Sequence, residues 1–355
     1  MNTLTGAVGL SVALCLPAAV LAADEAPPRQ GAHGLTLPAT FTGTLPCADC
    51  PGIVHHLDLF PETGGYALRR EWLERDLIVD ELGRWHVDPA RRALVLEQPG
   101  EERMEWQILG NGDLRLLDQE GQPIESDLPY GLEAGPLTPL DISGPMTGMF
   151  LYFADAALFT ECLTGQRFPV MMEADYLAIE TAYLDARTAP AAPLLARLEG
   201  RVSEREMMEG PPRMALTVER FHHVTPFGAC SRERASADLE NTFWRLERLG
   251  GTALPAEAEW REPYLLLGVE GEARFAATAG CNTMIGSYTL EGDALSFGPV
   301  AATLMACPEP LDAFEAQLGA ALENTAAVTG DGHRLQLRDA DGVALAEFEA
   351  AYTPH

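Results

Sequence analysis

The chain has 355 residues, 53 acidic side chains against 24 basic ones, and a formal net charge of −29. That length points to two or three domains, and a hydrophobic content of 47% is enough to fill their cores. The acidic surface repels phosphate backbones and anionic headgroups, which argues against nucleic acid as a partner. Every basic residue is an arginine, so P-loop phosphate binding and Schiff-base chemistry, which need lysine, are excluded.

Residues 1–23 read as a secretory signal peptide. Leu10 to Leu21 is apolar apart from Ser11, and cleavage is expected after Ala22 or Ala23. The run is too short for a transmembrane helix. Lipid modification normally acts on a Cys that follows a small residue. Leu14 precedes Cys15, so free export to the periplasm is expected, with an outer-membrane lipid anchor at Cys15 as the alternative. Residues 24–38 are rich in Pro, Gly and Ala and read as a mobile linker carrying a solvated His33.

Residues 39–127 read as an all-β domain. Val54 to Phe60, Tyr66 to Arg70, Gly83 to Val87, Ala93 to Leu96, Met104 to Leu109 and Leu114 to Leu117 are short runs divided by turn residues. Asn111-Gly112 is a hairpin turn signal. Such a meander closes into a small barrel or sandwich. Residues 128–145 hold several prolines and glycines and read as a second linker. In 146–235, Asp175 to Arg187 has a helical stripe of Tyr176, Ile179, Tyr183 and Leu184, and strands are expected at Leu194 to Val202 and Arg213 to Val224. In 238–352, Thr242 to Leu246 opens as a strand. A helix follows Pro308 with Leu311, Phe314, Leu318 and Leu322 on one face.

The stretch Leu45-Pro-Cys-Ala-Asp-Cys-Pro-Gly-Ile53 carries the chemistry, because two thiols at Cys-x-x-Cys spacing close a small disulfide ring or hold a soft ion. Beyond the signal the chain has six cysteines, Cys47, Cys50, Cys162, Cys230, Cys281 and Cys307, which in an exported protein read as disulfides. Fifteen pairings are open. If each pair lies within one domain, they are Cys47–Cys50, Cys162–Cys230 and Cys281–Cys307. Chain entropy assigns about 4 kcal/mol to the second, about 3.5 to the third and only ~2 to the tight ring. The ring therefore calls for a reason other than stability.

Three readings of Cys47 and Cys50 stay open: a plain disulfide, a reduced pair binding Cu(I), and a redox-catalytic pair. Thiolates favour Cu(I), and His55 or His56 could add a nitrogen, though only one of two successive strand residues faces a given side. A catalytic pair usually sits at a helix N-terminus, whereas here Pro51-Gly52 and a period-two run follow. No certain cofactor is implied. Hydrolase, zinc-protease and dinucleotide motifs do not occur, which points away from an enzyme.

Phe41-x-Gly-x-Leu-Pro-Cys-Ala-Asp-Cys-Pro-Gly-Ile53, with Gly83-Arg-Trp85 and Leu117-Asp-Gln-Glu-Gly-Gln-Pro-Ile124, resembles the N-terminal domain of the NlpE copper-homeostasis lipoproteins. Ala154-Asp-Ala-Ala-Leu-Phe-Thr-Glu-Cys162 and Met207-Met-Glu-Gly210 are similar to the OB-like domain of some NlpE proteins. Trp244-x-Leu246, Gly280-Cys-Asn282 and Met305-x-Cys-Pro308 resemble the META, or HslJ-like, domain of envelope stress proteins. The resemblance implies a mainly β chain made of a lipocalin-like barrel, an OB-like barrel and an α+β META domain. It also implies a non-enzymatic role in copper homeostasis or envelope-stress sensing, with envelope proteins or a stress-sensing membrane protein as partners. A small-ligand barrel carrier and a thiol-disulfide oxidoreductase are the competing readings.

Overall fold

The computed structural model describes residues 27–97, 103–207, 210–231, 234–255, 260–269 and 272–354. The signal segment, Cys15, Met208 and Glu209 lie outside the described residues.

Eight antiparallel strands close the first barrel. After a short hairpin of β1 (Arg29–Gln30) and β2 (Thr36–Leu37), they are β3 (Ala39–Leu45), β4 (Ile53–Phe60), β5 (Gly65–Trp72), β6 (Leu77–Asp88), β7 (Ala93–Glu97), β8 (Met104–Ile108), β9 (Leu114–Leu116) and β10 (Gly131–Gly135). Alternate residues point inward, and Leu57, Leu59, Tyr66, Leu68, Trp85 and Trp106 fill the interior. Each such side chain contributes roughly 1.5–3 kcal/mol by leaving water. The seam forms where β10 pairs with both β3 and β9. Gly43 allows it, because a Cβ there would collide with the Gly131 carbonyl.

Both expected linkers are corrected. Within 128–145, Gly131–Gly135 is a barrel strand and the next domain already begins at Ile142. Gly-Leu-Glu-Ala-Gly has a single bulky apolar residue, Leu132, so its pairing is decided by the partners on either side. Within 24–38, β1 and β2 pair, and Leu35 and Leu37 are buried in the barrel core. His33 is buried rather than solvated, 4.4 Å from Tyr352 and 5.7 Å from Trp85 between ring centroids.

The second domain is a five-stranded sheet of β11 (Ile142–Phe153), β12 (Ala156–Glu161), β13 (Arg167–Pro169), β14 (Leu194–Arg205) and β15 (Arg213–Thr225), with α1 (Tyr176–Ala186) between β13 and β14. A parallel bridge from Val170 to Leu216 draws its two edges toward a barrel. Helix α1 buries Tyr176, Ile179 and Tyr183. Leu184 is left 39% exposed, so the buried stripe is narrower than the sequence pattern.

The third domain is one curved sheet of β16 (Phe243–Leu249), β17 (Thr252–Ala253), β18 (Tyr264–Leu267), β19 (Arg274–Thr278), β20 (Met284–Glu291), β21 (Ala294–Phe297), β22 (Ala301–Ala302), β23 (Ala327–Gly330), β24 (Arg334–Arg338) and β25 (Ala344–Ala351). Helix α2 (Leu311–Asn324) lays Leu318, Ala321 and Leu322 into this core, with Phe314 packed at its margin, and buries Leu311 as well.

The barrel joins the other two domains at one end. Arg84 donates to the carbonyls of Leu163 at 3.1 Å and Cys162 at 3.2 Å. Phe243, Leu266 and Ala351 of the third domain enter the barrel's own core cluster. The β1–β2 segment ties this joint: Arg29 donates to Trp260 O at 2.8 Å, and the Glu262 N–H donates to Gln30 O at 2.9 Å.

Candidate functional site

The β3–β4 connection, Pro46 to Gly52, carries the Cys-x-x-Cys ring. Strand register places it beside the β5–β6 connection, since Ile53 pairs with Trp72 and Trp72 with Leu77. At the other end of the same strands Phe60 pairs with Gly65 and Gly65 with Arg84, where the neighbouring domains attach. The ring therefore occupies the end of the barrel away from both.

Cys47 and Cys50 are bonded, with Cα atoms 5.2 Å apart, and both residues are half-buried. Cys47 Sγ lies 3.4 Å from Asp49 Oδ1, and Cys50 Sγ lies 3.4 Å from Gly52 O. Arg75 clasps the loop: one guanidinium nitrogen donates to Asp49 O at 2.9 Å and pairs with Asp49 Oδ2 at 2.7 Å. The Leu73 N–H donates to Gly52 O at 3.0 Å. A carboxylate thus lies next to the sulfurs, itself paired with a guanidinium. Asp49 was legible inside the motif; nothing in the sequence pairs it with Arg75.

The histidines go elsewhere. Ring Nδ1 of the buried His55 donates to Ile53 O at 3.0 Å, and the ring meets Trp106 edge-on. Burial, partly offset by the Ile53 bond, lowers its pKa, with Arg70 adding to the decrease. His56 Nε2 lies 3.1 Å from Asp58 Oδ1 and 3.0 Å from Thr138 O. Among the described residues, the donor atoms gathered within 4.8 Å of one another at the ring belong to Cys47, Asp49 and Cys50 alone.

The donor set decides the fit to Cu(I). Sulfurs bonded to each other have no thiolate to offer, so the ring as folded is not a copper site. Opened by reduction, it presents two soft sulfurs and one hard carboxylate, a set suited to Cu(I) and short of the four ligands of structural zinc. The ring leads into strand β4 and not into a helix, so no helix dipole supports a catalytic thiolate. The barrel interior is packed with Trp85, Trp106 and Tyr66, which are 1% exposed or less. A cavity of about 490 Å³ lies outside it, between Val87 and Pro89 of the barrel and Asn241, Phe243 and Tyr352 of the third domain.

Two further disulfides join Cys162 to Cys230 and Cys281 to Cys307. A closed β-barrel with a cysteine ring on the connection between two of its strands, followed by an OB-type sheet and an α+β sheet, defines a class of modular β proteins. The family models agree in sequence: the NlpE N-terminal domain matches residues 41–127, the NlpE C-terminal OB domain 141–231 and the META domain 237–352. Lipoprotein NlpE of Escherichia coli (strain K12) is 37% identical over 218 residues, covering 59% of this chain and 87% of that protein. This chain belongs to the NlpE family, with a META domain as its third unit. The crystal structure of the Cpx pathway activator NlpE from Escherichia coli is 33% identical, covers 56% of this chain and all (100%) of that one, and superposes with a TM-score of 0.24. An NMR structure of a protein from Burkholderia xenovorans is 25% identical over 35% of this chain and 97% of that one, with a TM-score of 0.27.

Proposed function

We propose that this protein is a non-enzymatic cell-envelope component that serves copper homeostasis or envelope-stress sensing, with the Cys47–Cys50 ring as its responsive element. The observation that carries the reading is the ring's position. It stands half-buried at the end of the barrel remote from the other domains, beside the Asp49 carboxylate that pairs with Arg75, where a change of state meets solvent and partners. The bond itself contributes only ~2 kcal/mol by chain entropy, so opening it leaves the barrel standing. A reduced pair takes up Cu(I) through two thiolates; an oxidised pair does not. The Escherichia coli relatives described as a lipoprotein and as a Cpx pathway activator support an envelope location and a stress-sensing membrane partner. Anchoring through Cys15 would follow the lipoprotein relative.

The metal half is tested by Cu(I) titration of reduced protein beside the Cys47→Ser/Cys50→Ser variant. A high-affinity site present in the first and missing in the second is expected. Equal affinity removes copper from the reading. The mass of the mature N-terminus from native membranes tests the location, and a chain starting at Ala23 or Asp24 excludes the lipid anchor.

A further inference from the structure

The third domain holds a second sulfur site, built differently from the barrel ring. Cys281 follows β19, and Cys307 stands on the segment between β22 and α2; both residues are half-buried. Helix α2 brings the Glu315 carboxylate to them, with Oε2 3.3 Å from Cys307 Sγ. Among the described residues, Cys281, Cys307 and Glu315 place one donor atom each within 4.8 Å of one another.

Asn282 fixes this geometry and is only 7% exposed. Its backbone N–H donates to Glu315 Oε1. Its side-chain amide donates to Glu315 Oε2 at 2.8 Å, to Cys307 Sγ at 3.0 Å and to Met305 O at 3.1 Å. Its Oδ1 accepts the Met305 N–H and the Thr303 hydroxyl, both at 2.8 Å. One buried amide therefore locks the carboxylate, the sulfur and the segment carrying Cys307 into a single arrangement.

That arrangement is hydrogen-bonded for a thiol rather than for a disulfide. A bonded sulfur carries no proton, so Cys307 Sγ and Glu315 Oε2 face each other as two acceptors. Met305 O, a third acceptor, lies 3.5 Å from the same sulfur. Reduction puts a proton between sulfur and carboxylate, and the mismatch becomes a charge-assisted hydrogen bond. The Asn282 amide, 3.0 Å from the same sulfur, still donates to it. The surroundings thus favour the reduced pair relative to a disulfide in neutral surroundings.

We propose that Cys281 and Cys307 form a redox-active pair of the META domain, reducible by a dithiol, in which Glu315 holds the proton of the Cys307 thiol. In the forward step a thiolate of the dithiol attacks Cys281 Sγ. The Cys281–Cys307 bond breaks, and its electron pair leaves on Cys307, which takes a proton through Glu315. The second thiol of the reductant then loses its proton and attacks its own sulfur in the mixed disulfide, releasing Cys281, which is protonated from solvent. The dithiol gives up two electrons and two protons and becomes a disulfide; the protein gains both thiols. Glu315 is a positioning and proton-holding residue, and Asn282 positions Glu315.

The test equilibrates the full chain with dithiothreitol–disulfide buffers under native conditions. Free thiols are trapped by alkylation, and the peptides holding Cys281 and Cys307 are quantified. The pair is expected to open while the protein stays folded. Glu315→Gln, which still accepts from the Asn282 N–H but lacks the charge, shifts the equilibrium about tenfold toward the disulfide, or ~30 mV. A pair that opens only on unfolding, or a midpoint unmoved by the substitution, overturns the proposal. Should the variant fail to fold, the wild-type chain decides. In the reduced protein at pH 8, Cys307 is alkylated about fivefold more slowly than Cys281, because the adjacent carboxylate favours the thiol over the reactive thiolate. Equal rates overturn it.

Discussion

The Tyr352 hydroxyl donates to Glu262 Oε2 at 2.6 Å, and around that bond the barrel, the third domain and the N-terminal segment meet. The Ala32 N–H donates to the same oxygen at 3.0 Å, and Arg245 pairs with the other. Trp85 of the barrel stacks on Tyr352 with ring centroids 5.5 Å apart. Burial alone would raise the pKa of Glu262, but Arg245 and the donors from Tyr352 and Ala32 prevail and lower it. It is charged and paired on the folded side.

Glu262→Ala removes these partners at once and leaves the Arg245 guanidinium without its carboxylate. The expected cost is roughly 3 kcal/mol, toward the low end for a broken buried pair because Arg245 reaches solvent. The N-terminal segment should loosen with it. Denaturant unfolding reads the first effect, and faster tryptic cleavage after Arg29 reads the second. A variant with wild-type midpoint and wild-type cleavage would show that the joint does not depend on this carboxylate.

His33 makes the same joint sensitive to acid. Burial, only partly countered by Glu262 and reinforced by Arg245, lowers its pKa from 6.5 to about 4. The unfolded chain therefore binds a proton near pH 6.5 that the folded chain refuses until about pH 4. The stabilising contribution is complete above the unfolded value and is lost as pH falls through that window. The loss amounts to about 3 kcal/mol. His33→Leu keeps an apolar body and abolishes the titration, so its stability should fall less steeply between those limits. Parallel curves for the two proteins would refute the assignment.

The site motif and most regular elements were readable because each is local. Asn111-Gly112 makes its turn with Gly112 at a φ of 89°, and the stripe from Leu311 to Leu322 is a helix face. What escaped is held by partners far along the chain. Glu262 meets Ala32 across 230 residues and Tyr352 across 90, and no spacing rule connects them. Leu35 and Leu37 did carry a strand-like alternation, but the surrounding Pro, Gly and Ala outweighed it. The grip of Arg75 on Asp49 and of Asn282 on Glu315 is likewise tertiary; Asp49 and Asn282 lay in visible motifs, whereas nothing in the sequence pointed to Arg75 or Glu315.

The three disulfides should differ in what their removal costs. Cys162–Cys230 closes a long loop, and Arg84 seals it to the barrel through the carbonyls of Cys162, Leu163 and Ser231. Cys162→Ala/Cys230→Ala is expected to lose about 4 kcal/mol, against ~2 for Cys47→Ser/Cys50→Ser. The denaturant midpoints of the two variants give the comparison, and a barrel-ring variant as unstable as the other would contradict a mainly responsive role for Cys47 and Cys50.

Asp49 and Arg75 should govern how fast that ring opens while contributing little to folding. Their ion pair is exposed, with side chains 71% and 42% accessible, so breaking it changes stability by less than about 1 kcal/mol. Reduction, however, brings an anionic thiolate to the sulfurs and releases another. Asp49, 3.4 Å from Cys47 Sγ, opposes both events, and Arg75 favours them. Asp49→Asn should therefore speed reduction of the ring severalfold and Arg75→Ala should slow it, with both effects shrinking as salt rises and screens the charges. Stopped-flow reduction by dithiothreitol at low and high ionic strength measures this directly. Shifts of the same sign in the two variants would mean that loop mobility, rather than charge, controls access to the bond.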